Sequence, residues 1–374
     1  MPKKSATPSV IDVFAGVGGL SLGAARAGFN VAAAVEIDER AVAAHHINFP
    51  RTHLIPEDVS GISSSTLLTK AGLKPGELAG LIGGPPCQGF SSIGRRVADD
   101  PRNSLFETFF RLVETLKPAF FLAENVPGIL HERNDTVRDR ALSTVPKNYV
   151  LLDPIKVRAS EYGAPTTRTR MFFIGFDPKK VRELSHDDFQ ASPDIQDVRV
   201  MHALAGIPDL GAVWESGNGQ KKVRTADTSH FGTRLHDCIP DGVGDIESIK
   251  LLQNKNLASG FLSTIHNPET IKRFRILDVG MKDPVSKSVR LNPKGYCPTL
   301  RAGTGPEKGS YQAVRPIHPG DPRVICPREA ARLQGFPDWF QFDQTKWHAF
   351  RQIGNSVSPI VAERILSKIW SALR

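Results

Sequence analysis

Three sets of side chains in this chain carry reactive or charge-stabilising chemistry at spacings that can bring them together. The first is Cys87, inside Gly83-Gly84-Pro85-Pro86-Cys87-Gln88-Gly89-Phe90-Ser91. It follows an apolar run, Leu78 to Ile82, that reads as a buried strand bounded by glycine and proline. Two prolines stiffen the approach to the cysteine, while Gly89 and the serines behind it can bend. A thiol at such a strand end is placed like a nucleophile. With an ordinary pKa near about 8.5, it benefits from cations close by. The second is Glu124, which closes the next buried strand, Ala119 to Ala123, where a carboxyl can serve as acid or acceptor. The third is the pair Arg168 and Arg170, alternate residues of one extended stretch that share a face and can stabilise developing negative charge. Each has an ordinary counterpart. A lone cysteine is more often a buried packing group, and paired arginines can be a solvent-facing basic edge. Residue types and spacing alone leave both readings open for each set.

Regular elements must hold these groups. Val10 to Phe14 reads as a strand running into Ala15-Gly16-Val17-Gly18-Gly19-Leu20, where glycines permit a tight turn and close approach to a ligand. A helix from about Leu20 to Ala27 follows, and Gly28 can stop it. The next strand, Asn30 to Val35, ends in Glu36, an acid able to accept from both hydroxyls of a ribose, and Asp38 caps the following helix. Asp58 sits where a third strand should end, and apolar periodicity marks a core-facing helix over Ser104 to Leu116. This is the alternation of an α/β dinucleotide-type fold. The third glycine of Gly-x-Gly-x-x-Gly is missing, however, because Ser21 occupies it. Tyr149 to Val157 and Met171 to Phe176 read as a hairpin-like pair, and residues 92–103, with Arg95 and Arg96, as a charged surface loop. From Asp177 to about Pro319 the sequence turns polar and loop-rich, with Lys221, Lys222, Arg224, Arg234, Lys287, Arg290, Lys294 and Arg301 expected to be exposed. Order returns at Pro327 to Asp338. A last helix then runs to Leu373, with Ile360, Val361, Ile365, Leu366 and Ile369 on one face.

Pro85-Pro86-Cys87-Gln88-Gly89-Phe90-Ser91 resembles the catalytic motif of the cytosine-C5 DNA methyltransferases. Asp12-Val13-Phe14-Ala15-Gly16-Val17-Gly18-Gly19 looks like that family's S-adenosylmethionine loop. Glu124-Asn125-Val126, the paired arginines, Thr299-Leu300, Pro327 to Asp338 and Gln352 to Pro359 match further motifs in order. The resemblance implies an α/β fold: an S-adenosylmethionine-dependent methyltransferase (Rossmann-like) catalytic domain over 1–180 plus 349–374. An inserted smaller, loop-rich target-recognition domain would occupy 181–348. It implies that Cys87 adds to C6 of a cytosine flipped out of double-stranded DNA, making C5 nucleophilic. Glu124 would contact N3 and the N4 amino group, Arg170 would hold O2, and Arg168 would support Glu124 or Cys87. No base for the C5 proton is identified. The cofactor-binding residues implied are Phe14, Gly16, Gly18, Gly19, Leu20, Glu36, Ile37, Asp58, Val59, Pro85, Asn355 and Ser356. Four positions depart from the family pattern, namely Thr166, Ile37, Ser356 and Ser358, and are expected to tune activity and not abolish it.

Composition agrees with these expectations. The 374 residues suffice for two domains, and a formal net charge of +9 favours a polyanionic partner. Cys87, Cys238, Cys297 and Cys326 lie far apart, which indicates neither a zinc site nor a disulfide framework. No apolar run approaches about 18 residues, and the N-terminus has no apolar signal region. A cytoplasmic, nucleoid-associated monomer is expected, with no membrane contact. With nothing ahead of the first motif, it would be a stand-alone prokaryotic or phage-type enzyme, sharing its site with a cognate restriction endonuclease. Three alternatives stay open at this level. One is a tRNA cytosine methyltransferase built on the same motifs, another an inactive DNA-binding protein of the same fold, and a distant third an oxidoreductase.

Overall fold

Val10-Ile11-Asp12-Val13 is buried on both sides because it forms the middle of a sheet covered on both faces. The computed structural model describes residues 7–86, 103–210, 219–224, 230–236, 239–302 and 315–374. The first part of the chain alternates β1 (Ser9–Val13), α1 (Gly19–Arg26), β2 (Asn30–Val35), α2 (Glu39–Asn48), β3 (His53–Ile55), α3 (Ser64–Lys70), β4 (Leu78–Gly83), α4 (Asn103–Leu116) and β5 (Phe120–Asn125). After α5 (Asp135–Ser143) come β6 (Val150–Leu151), β7 (Ile155–Arg158) and β8 (Thr169–Phe176). The sheet order is β3-β2-β1-β4-β5-β8-β6, with β7 also beside β8. β1 to β5 are parallel, while β8 runs antiparallel to β5, β6 and β7. The expected pair of late strands is thus present, with its first member broken into β6 and β7.

This order places the site. The chain runs outward from β1 to β3 and returns to β4 on the other side of β1. A crevice therefore opens at the C-terminal ends of β1 and β4, where neighbouring connections leave in opposite directions. The glycine turn after β1 and the Gly84-Pro85-Pro86 stretch after β4 both begin there. On one face of the sheet, Ile11, Val13, Leu81, Phe121 and Phe173 pack with Phe106, Phe109 and Phe110 of α4. Rings there meet edge to face, such as Phe110 and Phe121 with centroids 5.5 Å apart. On the other face Val10, Ile82, Phe120 and Phe172 belong to a cluster that includes α1 and the last helix. Each such fully buried side chain contributes about 1.5–3 kcal/mol.

The rest of the chain comprises α6 (Val200–Leu204), β9 (Lys221–Lys222), α7 (His230–His236), α8 (Ile246–Lys255), β10 (Leu257–Ala258), α9 (Pro268–Ile276), α10 (Pro327–Gln334), α11 (Lys346–Asn355) and α12 (Pro359–Ala372). Helix α12 packs on α1 so closely that a Cβ at Gly23 would lie 2.3 Å from that of Ala362. Residues 181–189 also pack against this unit: Arg182 N donates to Ala372 O at 2.7 Å, and Tyr162 OH to Phe189 O. At the far border, Asn48 of α2 donates to Gln341 O at 2.7 Å and accepts from Gln341 N at 2.9 Å. Two of the expected surface bases are structural instead. Arg234 pairs with Glu363 of α12 at 3.3 Å. Arg290 gives its guanidinium to main-chain carbonyls, among them Leu277 at 2.7 Å and Pro319 at 3.1 Å. Charge count alone could not separate them from solvated bases, because their partners lie far along the chain. Among the described residues, no helix is long and apolar enough to cross a membrane.

Candidate active site

The crevice holds a cavity of about 470 Å³. Its floor is the turn after β1, where Phe14 takes a left-handed φ of 60°, rare for an aromatic residue, and Gly16 a φ of 56°. Nothing lies within 4 Å of where a Gly16 Cβ would be, so the turn leaves that side open. Glu36, at the end of β2, is fixed by three main-chain amides. Oε2 accepts from Gly16 N at 2.7 Å, and Oε1 from Ile37 N at 2.9 Å and Asp38 N at 2.8 Å. Asp58 accepts from Ser60 N at 2.9 Å through Oδ1. Phe14, Gly16, Gly19, Leu20, Glu36, Ile37, Asp58 and Val59 all line the cavity, as do Pro85, Asn355 and Ser356 from the other side. Gly18 does not. It caps α1 with a φ of 99°, and a Cβ there would lie 2.3 Å from the Phe49 ring, so its service is to shape the turn from behind. Ile37 is 65% exposed, an apolar lip of the opening. Fixed carboxylates beside apolar walls fit a nucleoside cofactor with positive charge, as a sulfonium and an ammonium group supply.

The second half of the cavity carries the groups read as catalytic. Glu124 and Arg170 line it together, with Arg170 Nε 2.6 Å from Glu124 Oε1. Antiparallel pairing makes this possible, since β5 and β8 bring Glu124 level with Phe172, two residues from Arg170. Gly84 passes the carboxyl closely enough that a Cβ would lie 3.1 Å from Glu124 Oε2. Pro85 and Pro86 line the same cavity, and Pro85 O accepts from Asn125 Nδ2 at 3.3 Å. Cys87 lies outside the described residues, as do Arg95 and Arg96. Arg168 is buried at the cavity edge. Its Nη1 donates to Gly354 O at 2.9 Å and Leu300 O at 3.3 Å, and its Nη2 to Asn355 O at 3.3 Å. Thr166 is fully buried and bridges Cys297, away from the cavity lining.

Ser21, at the position of the absent third glycine, has a packing reason. Its hydroxyl donates to Asp12 Oδ2 at 2.6 Å and lies 3.1 Å from His45 Nε2, all three buried behind the turn. Burial, with Glu36 nearby, pushes the Asp12 carboxyl up to about 7, and burial pushes His45 down to about 3. His45 is therefore neutral at pH 7. Because the folded pKa of Asp12 is raised, its contribution to stability is complete below about pH 4 and is lost as pH climbs to about 7. The ionised form costs on the order of 4 kcal/mol relative to the acid. Asp12→Asn should accordingly raise the melting temperature by several degrees at pH 8 and by less than half as much at pH 5. Equal shifts in thermal unfolding at the two pH values would show that Asp12 does not titrate this way.

Several lining or bracing groups have no signal in the sequence as site residues. Asn125 holds Pro85, Gln334 Nε2 donates to Ser356 O at 2.8 Å, and Arg351 pairs with Asp38 at 2.9 Å. Only their place inside recurrent motifs could have pointed to the first two.

Comparison with known proteins bears on what this geometry is for. The model of the C-5 cytosine-specific DNA methylases matches residues 9–371. Type II methyltransferase M.XorII of Xanthomonas oryzae pv. oryzae is 37% identical over 98% of this chain and 85% of its own length. Type II methyltransferase M.DdeI of Desulfomicrobium norvegicum is 31% identical over 96% and 88%. A crystal structure described as a DNA modification methyltransferase encoded within an E. coli prophage has a TM-score of 0.88 at 49% identity, covering 98% of this chain and 99% of that one. S. pombe Dnmt2 methyltransferase, at 16% identity and a TM-score of 0.63 over 97% and 98%, shares the fold. The fold is the Rossmann-like one of S-adenosylmethionine-dependent methyltransferases, and the methyl donor for which the Glu36 side of the cavity is suited is S-adenosylmethionine. A chain with this match from end to end, and with these groups in one crevice, belongs to the C-5 cytosine-specific DNA methylases.

Proposed function

We propose that the chain methylates C5 of a cytosine flipped out of a specific double-stranded DNA sequence, through a covalent bond between Cys87 and C6. The observation that carries this is the sharing of one cavity by the Glu124–Arg170 pair and the Glu36 cradle. When bound, S-adenosylmethionine supplies an electrophilic methyl group. Held by Glu36, Asp58, Ile37, Asn355 and Ser356, it would face the residues that act on the base. The Cys87 thiolate forms the S–C6 bond, and the ring's C5–C6 π electrons become available at C5. Glu124 donates to N3 and accepts from the N4 amino group, while Arg170 holds O2, where negative charge would otherwise collect. After transfer, the C5 proton leaves to a base that includes water as a candidate, and the S–C6 bond breaks. Flipping costs a few kcal/mol, which phosphate contacts offset.

Sequence reading is assigned to the region between the two catalytic segments, proposed as 181–348. The packing of 181–189 and of Gln341 on the first unit supports moving both borders inward. Lys222, Arg224, Lys294 and Arg301 remain exposed there for base or phosphate contacts. On this proposal the enzyme is a cytoplasmic monomer near the nucleoid, with a cognate restriction endonuclease as its partner in a host. The test is expression in a host lacking cytosine methylation, followed by bisulfite sequencing, with duplex DNA and tRNA compared in vitro using labelled cofactor. Methylcytosine at one short DNA sequence is expected. Label entering tRNA alone would overturn the reading.

A further inference from the structure

Three consecutive main-chain carbonyls on the cofactor side of the cavity are held by two buried side chains. Those of Gly354 and Asn355 accept from Arg168, and that of Ser356 accepts from Gln334. With its carbonyls committed to the protein interior, this C-terminal end of α11, with Ser356 after it, presents Asn355 and Ser356 to the cavity. Arg168 does something more. The Nη1 that donates to Gly354 O also donates to Leu300 O, so one guanidinium joins the end of α11 to the 297–302 segment. That segment is laced to the start of β8 by Cys297 N to Pro165 O and Thr167 N to Cys297 O, each at 2.9 Å. It lies so close to the helix end that a Cβ on Gly354 would be 2.6 Å from Ala302 N. The next side chain outward, Arg301, is exposed.

We propose that Arg168 is a positioning residue that couples cofactor binding to DNA binding. A helix end held by the cofactor presents fixed carbonyls to the guanidinium. The guanidinium in turn fixes Leu300 and thereby orders the residues that carry Arg301. Less ordering is then left for DNA to impose, so each ligand tightens the other. Gly354 serves the same end by letting the two backbones touch. The DNA half of this inference rests on reading 297–302 as part of the DNA-facing region. The ordering half does not.

Two measurements on the full chain separate those halves, with S-adenosylhomocysteine as the cofactor probe. The first is hydrogen exchange without DNA. In the unsubstituted protein the probe should slow exchange both in the turn at 15–20 and at the amides of 299–302. In Arg168→Met, protection of 15–20 should persist while that at 299–302 is lost, and Arg168→Lys should restore part of it. The second is affinity for the duplex carrying the site found by bisulfite sequencing. The probe should tighten that affinity by about tenfold in the unsubstituted chain and by less than about twofold in Arg168→Met. Gly354→Ala, which pushes the backbones apart without touching the guanidinium, should behave alike and carries the test if Arg168→Met does not fold. Protection of 299–302 that is absent from the unsubstituted protein, or retained in a folded variant, overturns the bridge. Lost protection with unchanged DNA coupling overturns only its link to DNA. A chain that methylates no DNA at all would instead sink the functional reading and leave the exchange result standing.

Discussion

Replacing Cys87 by alanine should reduce methyl transfer to below about one part in a thousand, a loss of about 4 kcal/mol or more of transition-state stabilisation. Cofactor and DNA affinities should stay within a few-fold of their original values. The reason is timing: on the proposed reading the thiolate bonds to C6 only after the base has left the duplex, so neither ground-state complex would depend on it. Single-turnover transfer from labelled cofactor measures the loss, and equilibrium binding measures what is kept. Duplex DNA bearing 5-fluorocytosine at the target adds a positive test. Fluorine cannot leave as a cation, so the S–C6 bond persists after methylation. A denaturation-stable adduct should form that requires cofactor and maps to the Cys87 peptide. An adduct formed equally well by Cys87→Ser would remove Cys87 from the role of nucleophile.

What the sequence revealed of this site, and what it hid, follows from the reach of each interaction. The turn after β1 and Glu36 were legible because strand, turn and helix lie within thirty-odd residues of one another. Their glycines and acid are punctuation that periodicity alone can place. Gly18 was legible as a turn residue, but not its absence from the cavity lining, since His45 of α2 and its C-cap Phe49, which pack behind it, lie some thirty residues on. Ser21 breaks a familiar glycine pattern for a reason visible only in three dimensions, where Asp12 and His45 close on its hydroxyl. Arg234 and Arg290 looked like surface charge because their partners, Glu363 and the carbonyls around Leu277 and Pro319, are contacts across the fold. Asn125 and Gln334 act by donating to carbonyls of Pro85 and Ser356, and an amide that braces a distant main chain leaves no local trace. The proposed domain border near residue 180 has no single local mark for a related reason. The change in texture at Asp177 marks where regular alternation stops, whereas burial continues through Val181, Leu184 and Phe189.

Glu124→Gln should lower the rate of methyl transfer by about 10²–10⁴-fold, with the Michaelis constant for DNA changed far less. Glutamine keeps the length and one acceptor, so the N4 amino group still finds a partner. It has no acidic proton for N3, so in the proposed mechanism electron demand on the ring would fall in the transition state, where Cys87 would add. A second consequence comes from the pair itself. In the free protein, before a base is bound, Arg170 Nε lies 2.6 Å from Glu124 Oε1, and the amide leaves that cation in the cleft without its counter-charge. Arg170→Met alone should therefore also cost rate, by removing the group that holds O2. The double variant should be less impaired than the product of the two single effects, because each single change already spoils the partner. Steady-state and single-turnover kinetics on the four proteins give the cycle directly. Strict additivity would mean that the two side chains act separately on the base. A change in DNA affinity alone, with single-turnover rate intact at saturation, would make Glu124 a positioning group and move the acid chemistry elsewhere.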